Sequence, residues 1–388
     1  MSTTATETAP TYPHVRVSGS PFERGVSYGT QARDRVELSI EAYAEVFSAG
    51  AGLAWPAVRE LAKRFEDPIG AFGPAYLDEL RGIADGAAVD LLDVLAINVR
   101  TEIMFSAKAR GAAEAFRTAE CTSYAIVPVP GDSSPVVVGQ NWDWLLHCFD
   151  TVVVLESERQ DGPNYVTVVE AGLLAKMGMN AAGLGLATNA LVTEADKGEP
   201  GVPYHVLLRA ILDCETVPDA LATLQRGRRS SSANYLIAHE DGSALDVEAA
   251  PGDYSSLYLV DPPGPYLHTN HFLSGRFDGR DVSLWAMPDS PVRLGRVRAA
   301  AVEGDPLDAR RMMTLMADHA GFPDSVCCHP NPHHAPTEQA ATIASVVMEP
   351  ESGTMWLADG QPCTRPFRRL DYADFLKSPS TQTRAGGR

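Results

Sequence analysis

The chain reads as an α+β protein, with antiparallel sheets that carry helices on their outer faces. Three observations predict this class. Roughly the first hundred residues keep a helical period, short valine-rich strands begin only around Cys121, and the later strands come in blocks separated by helix pairs and by tight turns such as Glu240-Asp241-Gly242.

Ser20-Pro21-Phe22-Glu23 is a helix start: Ser20 can cap, Pro21 suits the first turn and Glu23 closes a capping box. Apolar residues at Val26, Tyr28, Val36, Ile40, Tyr43 and Phe47 then hold a helical spacing, which predicts one helix to about Ser48. Further helices are expected at 57–64, 74–86 and 91 to about 104. Ser106 to Ala119 has no apolar stripe of either period and reads as an exposed connection. Strands are expected at 136–139, 151–156, 165–170 and 183–190, helices at 204–213 and 218–226, and strands again at 234–239, 244–248, 256–260 and 266–269. Helices at 291–302 and 308–319 precede a closing hairpin, 342–348 with 354–357. Gly183-Leu184-Gly185-Leu186 lies within a strand and opens no helix, so it fails as a dinucleotide loop.

With 388 residues, 45% hydrophobic and 21% charged, the chain can bury a large core. Its formal net charge of −18 repels phosphate backbones and anionic lipid, which excludes nucleic acid and membrane surfaces as expected partners. A small molecule is the expected partner. Met1 to Thr11 has no basic or apolar segment of a targeting signal, and no apolar run approaches the roughly twenty residues of a membrane span. A cytoplasmic protein is expected, and six cysteines are too sparse for a disulfide scaffold.

Cys121 opens the strand Glu120-Cys121-Thr122-Ser123-Tyr124. A cysteine there is ordinarily a small buried hydrophobe. If the bond before it is cut, however, its thiol gains an α-amine neighbour: the two groups titrate near 8.5 and about 7.7–8, so one residue supplies nucleophile and base. Gly139-Gln140-Asn141-Trp142-Asp143-Trp144 reads either as a polar strand end or as a site carboxylate, Asp143, that orients the ammonium or the thiol and is wedged between tryptophans. Leu267-His268-Thr269-Asn270-His271-Phe272 offers Asn270 as an oxyanion donor, a contact worth about 3 kcal/mol, or merely as a turn residue. Cys327-Cys328-His329, with His333 and His334, has a metal-like composition but lacks the spacing of zinc ligands and reads as a substrate-facing loop. Neither His-Glu-x-x-His nor Gly-x-Ser-x-Gly occurs.

In that order and at those separations, the Cys121, Asp143 and Asn270 segments resemble the penicillin (isopenicillin N) acyltransferase family of self-cleaving cysteine amidases. Asn98-Val99-Arg100-Thr101-Glu102, Ser231-Ser232-Ala233-Asn234-Tyr235, Ala341-Thr342-Ile343-Ala344-Ser345 and Gly360-Gln361-Pro362-Cys363 look like further landmarks of it. The resemblance implies an N-terminal nucleophile αββα sandwich and self-cleavage between Glu120 and Cys121. It further implies Cys121 as nucleophile, Asp143 and Asn270 as its catalytic partners, and Arg100, Glu102, Thr122, Trp142 and His271 as supporting or substrate-binding residues. The implied layout is a tail at 1–12, a mainly helical segment at 13–120, a catalytic segment at 121–377 and a tail at 378–388. The two fragments would stay together, and a homodimer is also compatible. No metal or resident cofactor is implied; a coenzyme A thioester would enter as a substrate. Glu120 stands where the penicillin enzyme has glycine, and Cys328 where many relatives carry a basic residue.

The expected reaction is hydrolysis of an amide in a small acylated amine or peptide-like molecule through a thioester. Acyl transfer to an amine uses the same residues with a different resolving nucleophile. A catalytically silent small-molecule binding protein and a zinc hydrolase are the readings from other classes.

Overall fold

The Ser20 hydroxyl accepts the Glu23 backbone N–H while the Glu23 carboxylate accepts the Ser20 N–H at 2.8 Å, so the expected capping box starts the first helix. In the computed structural model residues 11–109, 121–129, 131–262, 264–302 and 306–377 are described.

The first segment contains β1 (His14–Val17), α1 (Pro21–Gln31), α2 (Arg33–Ala51), α3 (Trp55–Lys63), α4 (Glu66–Phe72), α5 (Pro74–Ala87), α6 (Leu91–Asn98) and α7 (Arg100–Ala109). The second opens with β2 (Cys121–Ile126), β3 (Val137–Leu145), α8 (Cys148–Thr151), β4 (Val152–Ser157), β5 (Tyr165–Glu170), β6 (Met177–Asn180) and β7 (Leu184–Ala190). It continues with α9 (Tyr204–Ile211), α10 (Val217–Arg226), β8 (Ala233–His239), β9 (Ala244–Ala249), β10 (Leu257–Val260) and β11 (Tyr266–His268). Last come α11 (Ser283–Ala286), α12 (Ser290–Val302), α13 (Ala309–Leu315), β12 (Ala340–Glu349), β13 (Thr354–Ala358), β14 (Arg368–Asp371) and α14 (Ala373–Lys377).

Two sheets result, one ordered β1-β4-β5-β6-β7-β8-β9-β10 and the other β11-β2-β3-β12-β13-β14. Strands β2 and β3 pack across onto β7, and β2 also onto β8, while α10 lies on β8, α12 on β11 and α13 on β12. This is the expected sandwich of two sheets between helices. The pleat of β2 divides its side chains: Tyr124 joins Leu294, Val297 and Met312 under α12 and α13, whereas Cys121 and Ala125 join the larger apolar cluster that holds Trp142, Leu186 and Leu236. Cys121 therefore faces the space between the sheets.

Several expectations are corrected. The sheets are not wholly antiparallel, since β1 pairs with β4 in parallel. The single helix expected to about Ser48 is broken at Ala32, shortly after Gly29-Thr30, two residues of low helix propensity. The helix expected over 91–104 is broken at Val99, because the Asn98 side chain donates to Val94 O and Gly172 O, both at 2.8 Å, and accepts from Leu174 N. β3 runs on through Trp144, so the polar cluster is strand, held by pairing with β2 and β12 rather than by propensity. Ser106, assigned to an exposed connection, is buried in α7; the rest of that connection from residue 110 lies outside the described residues. Tyr12, assigned to the tail, is buried and donates to Ile343 O at 2.6 Å. The short elements β1, β6, β14 and α4 carried no signal strong enough to predict.

α1 and α5 cross so closely that only glycine fits: a Cβ on Gly25 would meet Glu79 O, and one on Gly82 would meet Phe22 O. Gly82→Ala should lower stability by about 1–3 kcal/mol or more, because neither helix backbone can yield independently. Thermal unfolding checks this, and an unchanged melting temperature would contradict the close crossing. Among the described residues no helix is long and apolar enough to cross a membrane.

Candidate active site

β2 begins at Cys121, and both backbone polar groups of that residue are held by side chains. Its N–H donates to Asn270 Oδ1 at 2.8 Å. Its carbonyl oxygen accepts from Arg293 Nη1 at 2.8 Å and from Asn189 Nδ2 at 3.1 Å. Arg293, fully buried on α12, also donates from Nη2 to Asn270 Oδ1 at 2.9 Å, from Nη1 to Thr122 Oγ1 at 3.1 Å and from Nε to Asp289 at 2.6 Å. Two donors on Oδ1, with Asn270 Nδ2 donating to Ala190 O at 3.0 Å, fix the carboxamide's orientation. Asn270 thus presents its oxygen, not its N–H, to the cysteine nitrogen.

Asp143 lies opposite Thr342, and Oδ1 accepts that hydroxyl at 2.6 Å; among the described residues Oδ2 has no hydrogen-bond partner. The register of β12 shifts beside it, between Thr342 and Ala344, a bulge of the kind that re-aims side chains next to a site. Burial pushes the Asp143 carboxyl up to about 7, against the pull of Arg293 and Thr342. The sign follows: the native state keeps a proton that the unfolded chain releases near 3.9, so stability falls as pH rises from about 4 to 7, by on the order of 4 kcal/mol. Asp143→Asn should flatten that dependence in denaturant titrations at pH about 4.5 and 7.5. An equal pH slope in both proteins would contradict it.

A small cavity beside the thiol is lined by Arg100, Thr101, Phe105, Cys121, Trp144, Lys176, Ala190, Tyr204 and His205. The Lys176 ammonium lies 4.9 Å from the centre of the Trp142 ring and 5.9 Å from that of Tyr204, a cation held over aromatic faces. Burial pulls its pKa down, with Cys121 acting the other way. Burial likewise raises the thiol, which Lys176 partly offsets.

The supporting residues named from the sequence separate into groups. Thr122 and Trp142 flank Cys121, Trp142 being its direct cross-strand neighbour. Arg100 forms part of the cavity wall and is anchored to Glu170 at 3.1 Å and to the Tyr43 hydroxyl at 2.6 Å. Glu102 lies behind it and accepts Tyr204 N and the Ser231 hydroxyl, both at 2.8 Å, so it braces the start of α9. His271 turns to the Ser290 hydroxyl at 2.8 Å, and burial lowers its pKa to about 4. Glu120 lies outside the described residues.

A family model described as acyl-coenzyme A:6-aminopenicillanic acid acyl-transferase matches residues 129–364. The chain belongs to this family. The acyl-transferase family segment includes Asp143, Lys176, Asn270, Arg293 and Thr342, and Cys121 lies just before it. The acyl-coenzyme A:6-aminopenicillanic-acid-acyltransferase 40 kDa form of Emericella nidulans is 26% identical over 317 residues, covering 81% of this chain and 84% of that protein. A conjugated bile acid hydrolase from Clostridium perfringens superposes with a TM-score of 0.43 at 15% identity, over 65% of this chain and 92% of that one. A penicillin V acylase from Agrobacterium tumefaciens gives 0.38 at 14% identity, over 65% and 86%. Family membership makes the chain an enzyme of amide-bond chemistry, an acyltransferase or amide hydrolase of the N-terminal nucleophile type.

Arg293, Lys176 and Asn189 were not found from the sequence as site residues of this acyl-transferase family member. The signal for Asn189 was a polar pair, Thr188-Asn189, ending an otherwise apolar strand; Arg293 offered only a basic residue early in an expected helix, and Lys176 none.

Proposed function

We propose that the chain is a self-processing cysteine amidohydrolase acting on a small acylated amine or peptide-like molecule. The observation that carries this reading is that the N–H and the carbonyl of one cysteine at the head of a strand are held by buried side chains, Asn270, Arg293 and Asn189, rather than by a neighbouring strand alone.

In processing, Cys121 Sγ attacks the carbonyl carbon of Glu120. The S–C bond forms as the C–N bond breaks, the thiol proton passes to the departing nitrogen, and water hydrolyses the thioester to leave a Glu120 carboxylate and a free α-amine. Asn270 Oδ1 then holds that amine. In turnover the thiolate attacks the substrate amide, and the second Nδ2–H of Asn270 together with backbone N–H groups stabilises the oxyanion. The α-ammonium protonates the leaving amine, and water resolves the acyl-enzyme. Lys176 favours the thiolate by charge. Asp143, bonded through Oδ1 to the Thr342 hydroxyl, fixes the end of β3. Contacts such as Arg100 with Glu170 and β1 with β4 would keep the two fragments together after scission.

The name of the Emericella nidulans relative favours a second reading, in which a coenzyme A thioester supplies the acyl group and an amine resolves it. The test is to follow amine release from a panel of acylated amines with and without an acyl thioester. Amine release with a burst in water alone supports hydrolysis; a strict need for the thioester overturns it in favour of transfer. No release and no acyl-enzyme under either condition would return the chain to the class of binding proteins.

A further inference from the structure

The fold brings together a set of side chains that the reaction above does not use. His319 follows α13, Cys327 and His329 lie on the loop after it, and Cys363 is on the turn after β13; their Nε2 and Sγ atoms all lie within 4.8 Å of one another. We propose that these four residues form a structural zinc site.

The argument is metrical. A tetrahedral zinc with Zn–S of about 2.3 Å and Zn–N of about 2.0–2.1 Å sets its ligand atoms about 3.5–3.6 Å apart for N···S and about 3.3 Å apart for N···N. Here Cys327 Sγ is 3.6 Å and Cys363 Sγ 3.4 Å from His329 Nε2, and His319 Nε2 is 3.1 Å from that same atom. Two thiols and two imidazoles are the donor set that selects zinc among common divalent ions, and four protein ligands leave no open coordination position, so the role is structural. The loop composition gave a misleading version of this cluster: Cys328 instead directs its thiol at His329 O and Ala340 O, and His333 is exposed.

The site would fasten two segments that lie against the strands of the active site. Val326 O and Met316 O accept from Asn141 Nδ2 at 2.7 and 2.9 Å, and Cys328 N donates to the same Thr342 hydroxyl that reaches Asp143. Zinc would thus hold the far side of β3 and β12 in register.

The test uses the full chain purified without chelator, then with cobalt exchanged for zinc. Elemental analysis should find about one zinc per chain, and the cobalt form should show thiolate-to-metal charge transfer with the intense visible bands of tetrahedral geometry. Cys363→Ser and His319→Ala should weaken metal binding by at least about a hundredfold, while His333→Ala retains it. Since a ligand variant can misfold, the cobalt spectrum of the unaltered chain is decisive. Sub-stoichiometric zinc without thiolate charge transfer would overturn the proposal, as would a Cys327–Cys363 disulfide whose reduction yields no metal binding.

Discussion

Arg293→Ala should slow chain cleavage at Cys121 by about 10²- to 10³-fold, the usual cost of losing one preorganised donor at an acyl-transfer centre. The side chain makes three of the contacts that define Cys121: with its carbonyl, with Thr122 and with the Asn270 oxygen. Its removal releases that oxygen and breaks the buried ion pair with Asp289, which adds a stability loss on the order of 3–5 kcal/mol. Stability and positioning are separable through Arg293→Lys, which keeps the charge but not the fork. The lysine variant should fold with a near-normal melting temperature and still cleave slowly, as read from the ratio of intact to cleaved chain over time. Cleavage at the original rate in a folded alanine variant would show that the arginine does not position Cys121.

Lys176→Met should depress turnover at neutral pH by about 10- to 100-fold while leaving the fold intact. The ammonium is buried next to the thiol and favours its ionised form, so an uncharged replacement of similar length raises the thiol pKa, at about 1.4 kcal/mol for each unit. The rising limb of the rate profile therefore moves to higher pH, and activity returns as the solution becomes alkaline. Stability should hold or increase, because a desolvated charge is removed from among Trp142 and Tyr204. Alkylation of Cys121 as a function of pH, followed by mass mapping, gives the same quantity without substrate. An unmoved profile would mean that the lysine charge is not felt at sulfur.

What the sequence discloses and what it hides divide along the range of the interactions involved. The Ser20 capping box, the strand 165–170 and the helix start at Pro74 depend on neighbours within a few residues, and they lie where local chemistry puts them. Cys121 and Asp143 stood out because those residue types are unusual in strands, and Asn270 because it follows the end of one. Arg293 was not, since it meets Cys121 across 172 residues of chain and nothing near it in sequence marks it. Lys176 is one lysine on a loop, and its significance comes only from the aromatic rings and the thiol that the sheets bring to it. The Gly25 and Gly82 crossing was hidden for the same reason: each glycine weakens its own helix, and only the partner helix explains why it is there. The four-residue metal cluster shows the limit most clearly, because Cys363 and His319 are invisible as ligands until β13 and α13 are placed.

Intact-mass measurement with N-terminal sequencing of the purified enzyme addresses the central claim most directly. The account predicts two associated fragments of 120 and 388 − 120 = 268 residues, the larger beginning Cys-Thr-Ser, and a single uncut chain for Cys121→Ala. Full activity in a preparation that contains only the uncut 388-residue chain would contradict it.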